Sequence, residues 1–431
     1  MRNRIIYGQS YLLCSQPPAY QSNSLNVSGL KRVQDVSVDF TFARERFKQI
    51  GSENFVGDTH LKNADIGLNV SYFYSNGTNE ALMGLNVNGA NGHALKFVKK
   101  QNQDRNYYIV HGSGVHDEPL KESSFVDSYD VMALGNVFLD SYNFSAQLNS
   151  PIAASARFSA YNMQIDAYNE AGGEDIPAID DSRGLQTDEF QYKIQTGNIF
   201  DTTNQDGLIN AALSPAHIEL VLPTNNNVAG LDLTGQRAAF LQSLDLSFDI
   251  DRHDLYGFGS MYPYGRRAIL PVLGNLQFSA LASEFETGTL NTIINSGERE
   301  FDFVFNFLGC SGETGLQITV ENAKIDNESF SESIGSNADM DISFSFPMSN
   351  TTGLRISTPP LFLDQPDAGD SVLTVNATGK TPFTYQWYDM AGILAGESGP
   401  DITPSVDGNY YCVVTNDLGS GVSRTTYVDV P

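Results

Sequence analysis

The chain contains an internal repeat, and this duplication limits its possible folds more than any other feature. Residues 33–52 match residues 241–260 at a constant offset of 208 positions. Five of these 20 positions are identical, with Gln34, Phe40, Arg44, Gly51 and Ser52 matching Gln242, Phe248, Arg252, Gly259 and Ser260. Chance would give roughly one identity over such a length. A duplicated domain makes the chain pseudo-symmetric, which favours assembly over a single catalytic cleft.

A second pair of segments confirms the duplication. Residues 136–159 match residues 322–345 at an offset of 186, with identities at Asn136, Asp140, Phe144, Ser145, Ser150, Phe158 and Ser159. The first copy therefore carries about 22 more residues than the second, between Leu85 and Asn136. Because loops absorb insertions more easily than packed strands, we expect the extra residues in the polar, glycine-rich stretch 88–130, read as a long loop.

Apolar and polar residues alternate along the repeated segments. Val36, Val38, Phe40 and Phe42 alternate with polar residues across 33–42, and the segment at 241–250 alternates in the same way. This period of two predicts strands with one buried and one polar face, as in an antiparallel sandwich or barrel. Further strands are expected at 67–74, 136–144 and 154–162, with partners at 275–283, 322–330 and 340–347, and a short helical turn or strand at 81–87.

The C-terminal segment has a different pattern, similar to an immunoglobulin domain. Trp387 stands where such domains carry their core tryptophan, and Tyr410 lies two residues before Cys412, as in a tyrosine corner. Val375 occupies the position of the usual partner cysteine, so the inter-sheet disulfide cannot form. The predicted fold is all-β, with two tandem β-sandwich or barrel domains and an immunoglobulin-like sandwich. The predicted domains are 1–205 (with the long loop and an acidic linker), 206–357 and 360–431.

Composition excludes several classes of function. With 51 acidic and 25 basic residues, the net charge is −26, so nucleic acid is not expected to bind through a basic surface. The charge also suits the simpler role of keeping a large surface soluble. The three cysteines form no disulfide framework, which favours a reducing compartment. No apolar run suggests a membrane span or a secretory signal, since Gly8, Gln9 and Ser10 interrupt the N-terminal stretch.

The sequence shows no motif that would carry catalysis. His111, His116, Asp117 and Glu118 fit no standard ligand spacing, and the calcium-loop-like stretch 202–213 has Thr202 and Leu213 at the positions of essential ligands. Nucleophile elbows, phosphate-binding loops and dinucleotide fingerprints are also missing from the sequence. We therefore expect no catalytic, metal or cofactor site and no enzymatic activity.

Four residues are candidates for an assembly interface. Arg44 and Arg252 occupy equivalent positions at the ends of the alternating segments. They would be either solvated or internally paired cations, or contacts to a carboxylate on the adjacent copy around a ring. Tyr107 and Tyr108 lie among charged residues in the predicted loop, which suggests an arm that reaches a neighbouring ring.

The repeated segment at 33–51, the later hairpin and the domain order resemble the major tail tube proteins of long-tailed phages. The resemblance implies a structural virion protein: a homotrimer with two tube domains per chain, in pseudo-hexameric rings that stack into a conduit for DNA ejection. The DNA would pass without specific binding. Tape-measure and tail-terminator proteins would be partners, the chain would assemble in the host cytoplasm, and no membrane would be involved. The alternatives are a distal tail or baseplate ring protein, a tandem β-domain surface adhesin, and a carbohydrate hydrolase that would need a carboxylate pair.

Overall fold

The chain folds almost entirely into β-strands, as the alternating patterns predict. The computed structural model describes residues 10–15, 27–42, 44–60, 64–74, 76–99, 104–112, 129–168, 175–176, 192–193, 218–221, 241–258, 263, 265–281, 300–308, 314–331, 339–364, 372–423 and 425–430. Within these residues, no helix is long and apolar enough to cross a membrane.

The first copy of the repeat begins with short strands and ends with a long antiparallel set. Its strands are β1 (Ser10–Ser15), β2 (Val27–Gly29), β3 (Val33–Thr41), β4 (Arg44–Lys48), β5 (Phe55–His60), β6 (Asp65–Phe73), β7 (Arg105–Gly112), β8 (Tyr129–Gln147), β9 (Ala153–Ala160) and β10 (Asn162–Tyr168). Between β6 and β7 lie helix α1 (Thr78–Met83) and two 3-10 helices at Gly89–Asn91 and Ala94–Lys99. The short strands β11 (Asp175–Ile176) and β12 (Tyr192–Lys193) follow and pair with each other.

The second copy and the C-terminal domain complete the chain. The second copy has β13 (Ile218–Val221), β14 (Leu241–Asp249), β15 (Arg252–Leu255), β16 (Gly265–Ala268), β17 (Val272–Leu281), β18 (Phe301–Leu308), β19 (Thr314–Ser331), β20 (Asp339–Met348) and β21 (Leu354–Ser357). The C-terminal domain has β22 (Leu361–Asp364), β23 (Leu373–Thr374), β24 (Asn376–Thr378), β25 (Thr384–Asp389), β26 (Gly392–Ile393), β27 (Asp401–Ile402), β28 (Gly408–Asn416), β29 (Gly419–Val422) and β30 (Thr426–Val428).

One long strand in each copy connects two packed layers. The first half of β8 runs between β7 and β10, and its second half runs beside β9. In the second copy, β19 lies between β18 and β21 and then beside β20. Equivalent aromatic pairs join the layers: the rings of Tyr107 and Phe158 are 5.0 Å apart, and those of Phe303 and Phe344 are 4.9 Å apart. These rings lie in the buried core, so each copy is a β-sandwich.

The two copies repeat each other down to their irregularities. The order β3-β6-β9-β8 in the first copy matches β14-β17-β20-β19 in the second. The same positions break the ladders: the pairing shifts at Gln34 and Gln242, and again at Asp140 and Asp326. Asn136 and Asn322 both have positive φ, at 50° and 58°. Because bulges and left-handed residues are sequence-specific, this agreement confirms the duplication in three dimensions.

The stretch 88–130 is not simply the predicted loop, and that prediction is wrong for its central part. β7 lies inside this stretch and pairs with β1 on one side and β8 on the other. The pairing also divides the extra residues: 12 fall between β6 and β7, where the helices lie, and 10 between β7 and β8. The stretch 81–87 is part helical, since α1 covers Thr78–Met83. The acidic stretch 170–189 lies outside the described residues apart from Asp175–Ile176.

The C-terminal domain has the predicted immunoglobulin-like core. Trp387 and Cys412 are paired across β25 and β28, and both are fully buried. The Tyr410 hydroxyl donates to the Val406 carbonyl at 2.7 Å, which is the geometry of a tyrosine corner. Val375 is buried in the same cluster, so an apolar side chain packs where the partner cysteine would stand.

The buried thiols give a chemical test of this core. Burial raises the pKa of Cys412 to about 12 and that of Cys14 to about 11. Neither cysteine is therefore a reactive thiolate at about pH 8. We expect iodoacetamide to leave both unmodified in the native protein and to alkylate both in denaturant without reductant, measured by peptide mass spectrometry. Native alkylation of Cys412, or its failure to react after unfolding, would contradict the burial or the free thiol.

Candidate assembly interface

The two copies join edge to edge through β-strand pairing. The second half of β8, from the first copy, pairs with β14, from the second, between Ser141↔Asp249 and Gln147↔Ser243. The pairing produces one continuous sheet in the order β3-β6-β9-β8-β14-β17-β20-β19. We call the contact between β8 and β14, with the hairpin β15–β16 that follows it, the inter-copy junction.

Arg252 lies at the centre of the inter-copy junction. Its Nη1 donates to Asp140 Oδ1 at 3.1 Å and also to the carbonyl oxygen of Leu139, both in the first copy. The guanidinium carbon lies 5.5 Å from the centre of the Phe138 ring. Only 3% of the Arg252 side chain is exposed. A second-copy arginine thus binds a first-copy carboxylate within one chain, whereas a contact of this kind around a ring stays a prediction.

Burial shapes the electrostatics of this ion pair. It lowers the pKa of Arg252 to about 10 and raises the pKa of Asp140, and the attraction between the two groups offsets each shift only in part. Arg252 Nε and Nη2 have no hydrogen-bond partner among the described residues. Removing both charges from water therefore costs much of what their attraction contributes. The ion pair therefore mainly fixes how the two copies align, because it is favourable only when Arg252 lies beside Asp140.

The rest of the hairpin also rests on the first copy. Arg266 on β16 pairs with Asp254 across the hairpin at 2.5 Å and donates to the Ser159 hydroxyl on β9. Its guanidinium carbon lies 5.2 Å from the centre of the Phe138 ring and 4.8 Å from that of the Tyr161 ring. The Arg252 and Arg266 cations thus both approach the Phe138 ring, and a cation–π contact contributes about 2 kcal/mol when it is shielded from water, as these side chains are.

Both ends of the continuous sheet have unpaired edges among the described residues. β3 pairs only with β6, and the second half of β19 pairs only with β20. The apolar side chains at the end of β3 and just after it are uncovered, since Phe40 is 55% exposed and Phe42 is 47% exposed, whereas Val36 and Val38 pack against the core. Their equivalents Phe248 and Ile250 are 1% and 2% exposed, because the first copy covers them. An open edge with exposed aromatic side chains is typical of a contact surface and not of a sheet edge that is protected from further pairing.

The opposite face of the continuous sheet is polar and mildly acidic. It carries mostly Ser, Asn, Thr and Gln, and a concavity of about 410 Å³ crosses it from β3 to β14. The charged residues that the structure describes on this face between β3 and β20 are Asp35, Asp39, Asp65, Asp245, Asp249, Asp341 and Arg157. We call it the polar face.

The structure separates the four predicted interface residues. Arg252 lies in the inter-copy junction, and its equivalent Arg44 lies in solvent, 3.6 Å from Asp58 with half of each side chain exposed. Tyr107 and Tyr108 are fully buried inside β7, so the expectation of an exposed arm is wrong. A central strand covered on both faces is apolar along its whole length, and this accounts for the run Tyr107–Val110 better than a loop does.

The acceptor side of the inter-copy junction was not predicted from the sequence. Asp140 and Asp326 were identical in the repeat, and each is now seen at a β-bulge. The sequence did contain a signal for this contact, because both the aspartates and the arginines are identical at equivalent positions of the two copies. The described residues include no group of metal-ligating side chains close enough to hold an ion, and His116, Asp117, Glu118 and the stretch 202–213 lie outside them. His111 lies on β7, where its Nδ1 is 2.8 Å from the Ser10 hydroxyl.

No protein-family model and no curated protein matches the chain. Among solved structures, the chain is similar to the anti-feeding prophage cap, a tube-terminating cap, at 15% identity over 36% of this chain and 98% of that one, with a TM-score of 0.26. It is also similar to tandem Ig repeats of Dlar from Drosophila, at 15% identity over 31% of this chain and 89% of that one, with a TM-score of 0.14.

The two equivalent arginines provide a matched test of the inter-copy junction. Arg252→Met leaves the partly buried Asp140 without its paired cation, and we expect a loss of about 3 kcal/mol in the free energy of unfolding. Arg44→Met removes only an exposed pair, so its loss should stay below about 1 kcal/mol. Urea denaturation of unassembled protein, followed by far-UV circular dichroism, measures both. Equal losses in the two variants would show that Arg252 contributes nothing beyond a surface ion pair.

Proposed function

We propose that the chain is a structural virion protein that forms a phage tail tube. Three chains, each with two tube domains, form a pseudo-hexameric ring, and the rings stack into a conduit for DNA ejection. The observation that carries this proposal is the continuous sheet. It joins two copies edge to edge and, among the residues that the structure describes, leaves one matching edge open at each end. Closure of such a sheet into a ring removes both open edges.

The polar face suits the lumen of this tube. Its concave side carries small hydroxyl and amide side chains, and carboxylates outnumber the one described arginine there. Carboxylates repel DNA phosphates, and without clustered Lys or Arg there is no counterion release to hold the DNA in place. DNA would therefore pass without specific binding, and the proposed role needs no catalytic group or cofactor.

The remaining partners follow from the same role. The ends of a stacked tube expose a ring surface that terminator proteins would cover, and a tape-measure protein would occupy the lumen before DNA enters. The immunoglobulin-like domain has its own core around Trp387, separate from the core of the tube domains. It would decorate the outside of the tube.

Microscopy and mass measurement test the assembly directly. Purified protein should form tubes in negative stain, and native mass spectrometry of isolated rings should show three chains, because each chain supplies two of six domains. Single rings that never stack would favour the baseplate alternative. Persistent monomers would favour an adhesin. Rings of six chains would contradict the pseudo-hexamer.

Thiol labelling tests the orientation of the polar face. Gln277, on β17, is exposed on that face, whereas Met390 in the C-terminal domain is 80% exposed. In a Cys310→Ser background, Gln277→Cys should react with a polymer-linked maleimide in soluble chains and become protected in tubes, because the polymer cannot enter the lumen. Met390→Cys, the control, should react in both states. Equal labelling of Gln277→Cys in tubes would place the polar face outside.

A further inference from the structure

The inter-copy junction within one chain is a template for a contact that the chain can make only with another copy of itself. β3 is equivalent to β14, and the second half of β19 is equivalent to the second half of β8. β8 and β14 are paired, whereas β19 and β3 both present open edges in the described part of the chain. Each chain thus carries both strands, β3 and the second half of β19, that a second junction of the same type would need.

We infer that β3 of one chain pairs antiparallel with the second half of β19 in the next chain, with Thr41 opposite Asn327 and Ser37 opposite Ser331. This register follows from Asp249↔Ser141 and Asp245↔Ser145 by the repeat offsets of 208 and 186. The contact identifies the partner surface of the proposed ring and in that sense rests on the proposed function. The edge pairing itself requires only a second copy of the chain.

Arg44 of one chain meets Asp326 of the next in this arrangement. Asp326 stands at the same bulge as Asp140, and its Oδ1 accepts from the Ser345 hydroxyl at 2.9 Å. Asp140 is likewise hydrogen-bonded by Ser159, the equivalent of Ser345. The acceptor site is therefore already built in the second copy. Arg44 is half exposed; it lies 3.6 Å from Asp58, and its guanidinium carbon lies 6.0 Å from the centre of the exposed Phe42 ring, so it is accessible to that site.

A pair of compensating changes supports the same partner. In the inter-copy junction, the Arg266 cation lies over the Phe138 ring. At the equivalent positions, Asp58 replaces Arg266 and Lys324 replaces Phe138. The contact of Arg266 with an aromatic ring thus becomes a carboxylate beside an ammonium group, and the Asp58 carboxylate also offsets the like charges of Arg44 and Lys324, which stand where Arg252 meets Phe138. Lys324 is now 56% exposed and 3.3 Å from Glu300, so its amino group is accessible to Asp58 of another chain.

The apolar surface also matches this partner. Phe40, Phe42, Phe47 and Phe55 are each about half exposed, all around β3 and the hairpin β4–β5. In the second copy the corresponding hairpin β15–β16 lies against the first copy, and Phe248 and Ile250 are buried. The uncovered surface of the first copy is therefore the surface that its own duplicate buries against a neighbouring tube domain.

Charge reversal tests the Arg44–Asp326 contact. Arg44→Asp and Asp326→Arg should each abolish ring formation at concentrations where the wild type assembles, since each places like charges together, and the double variant should restore rings. Lys48→Asp is the control, because it makes the same charge change on the same hairpin at a position whose equivalent, Tyr256, is 48% exposed. Size-exclusion chromatography with light scattering measures the outcome. Rings in both single variants, or none in the double variant, would overturn the contact.

Cysteine cross-linking tests the register independently of the charges. Thr41→Cys with Asn327→Cys, in a Cys310→Ser background, should give a disulfide-linked ladder of chains under mild oxidation, because facing Cβ atoms in paired strands lie about 4.5–5.5 Å apart. Thr41→Cys with Ser331→Cys, four residues out of register, should not. Tubes that form without the Thr41–Asn327 cross-link would overturn this inference and leave the tube function standing. A ladder from a protein that never forms tubes would confirm the contact and overturn the tube function.

Discussion

The pairing of β8 with β14 is the interaction on which the rest of the structure depends. A strand edge presents unpaired donors and acceptors that must find a partner, and here the chain supplies that partner from its own second copy. Because the copies are covalently linked, this junction forms without the loss of freedom that association of separate chains requires. Duplication thus makes half of the contacts in the proposed ring intramolecular and, in the part of the chain that the structure describes, leaves one open edge at each end of the sheet.

The inter-copy junction combines backbone pairing, which many registers allow, with the ion pair of Arg252 and Asp140, which only one register allows. Backbone pairing alone would tolerate slippage, since every residue offers similar groups. The buried contact between Arg252 and Asp140 is favourable in a single arrangement, and burial moves both pKa values towards the neutral forms, so a misplaced arginine would be left desolvated and unpaired. We regard this pair as the element that sets the register between copies, while the aromatic contacts of Phe138 and Tyr142 add area.

Several features could be read from the sequence because they depend on local pattern. Alternation revealed the strands around Val36 and Leu244, and the spacing of Trp387, Tyr410 and Cys412 revealed the immunoglobulin-like core. The prediction of an exposed arm at Tyr107 and Tyr108 was wrong, because the charged residues nearby suggest a loop although the short apolar run itself is a buried strand. Whether such a run is a loop anchor or a central strand depends on β1 and β8, which lie far away along the chain.

The sequence by itself determined the duplication, the all-β class and the equivalence of Arg44 with Arg252. It could not determine that one of these arginines is buried and the other exposed, because their equivalent positions in the repeat carry no information about which neighbour each strand meets. Burial is a relation between a side chain and the surface opposite it. Only the tertiary structure placed Asp140 against Arg252, left Arg44 on the hairpin that follows the edge strand β3, and put Asp326 on β19 at the other end of the continuous sheet.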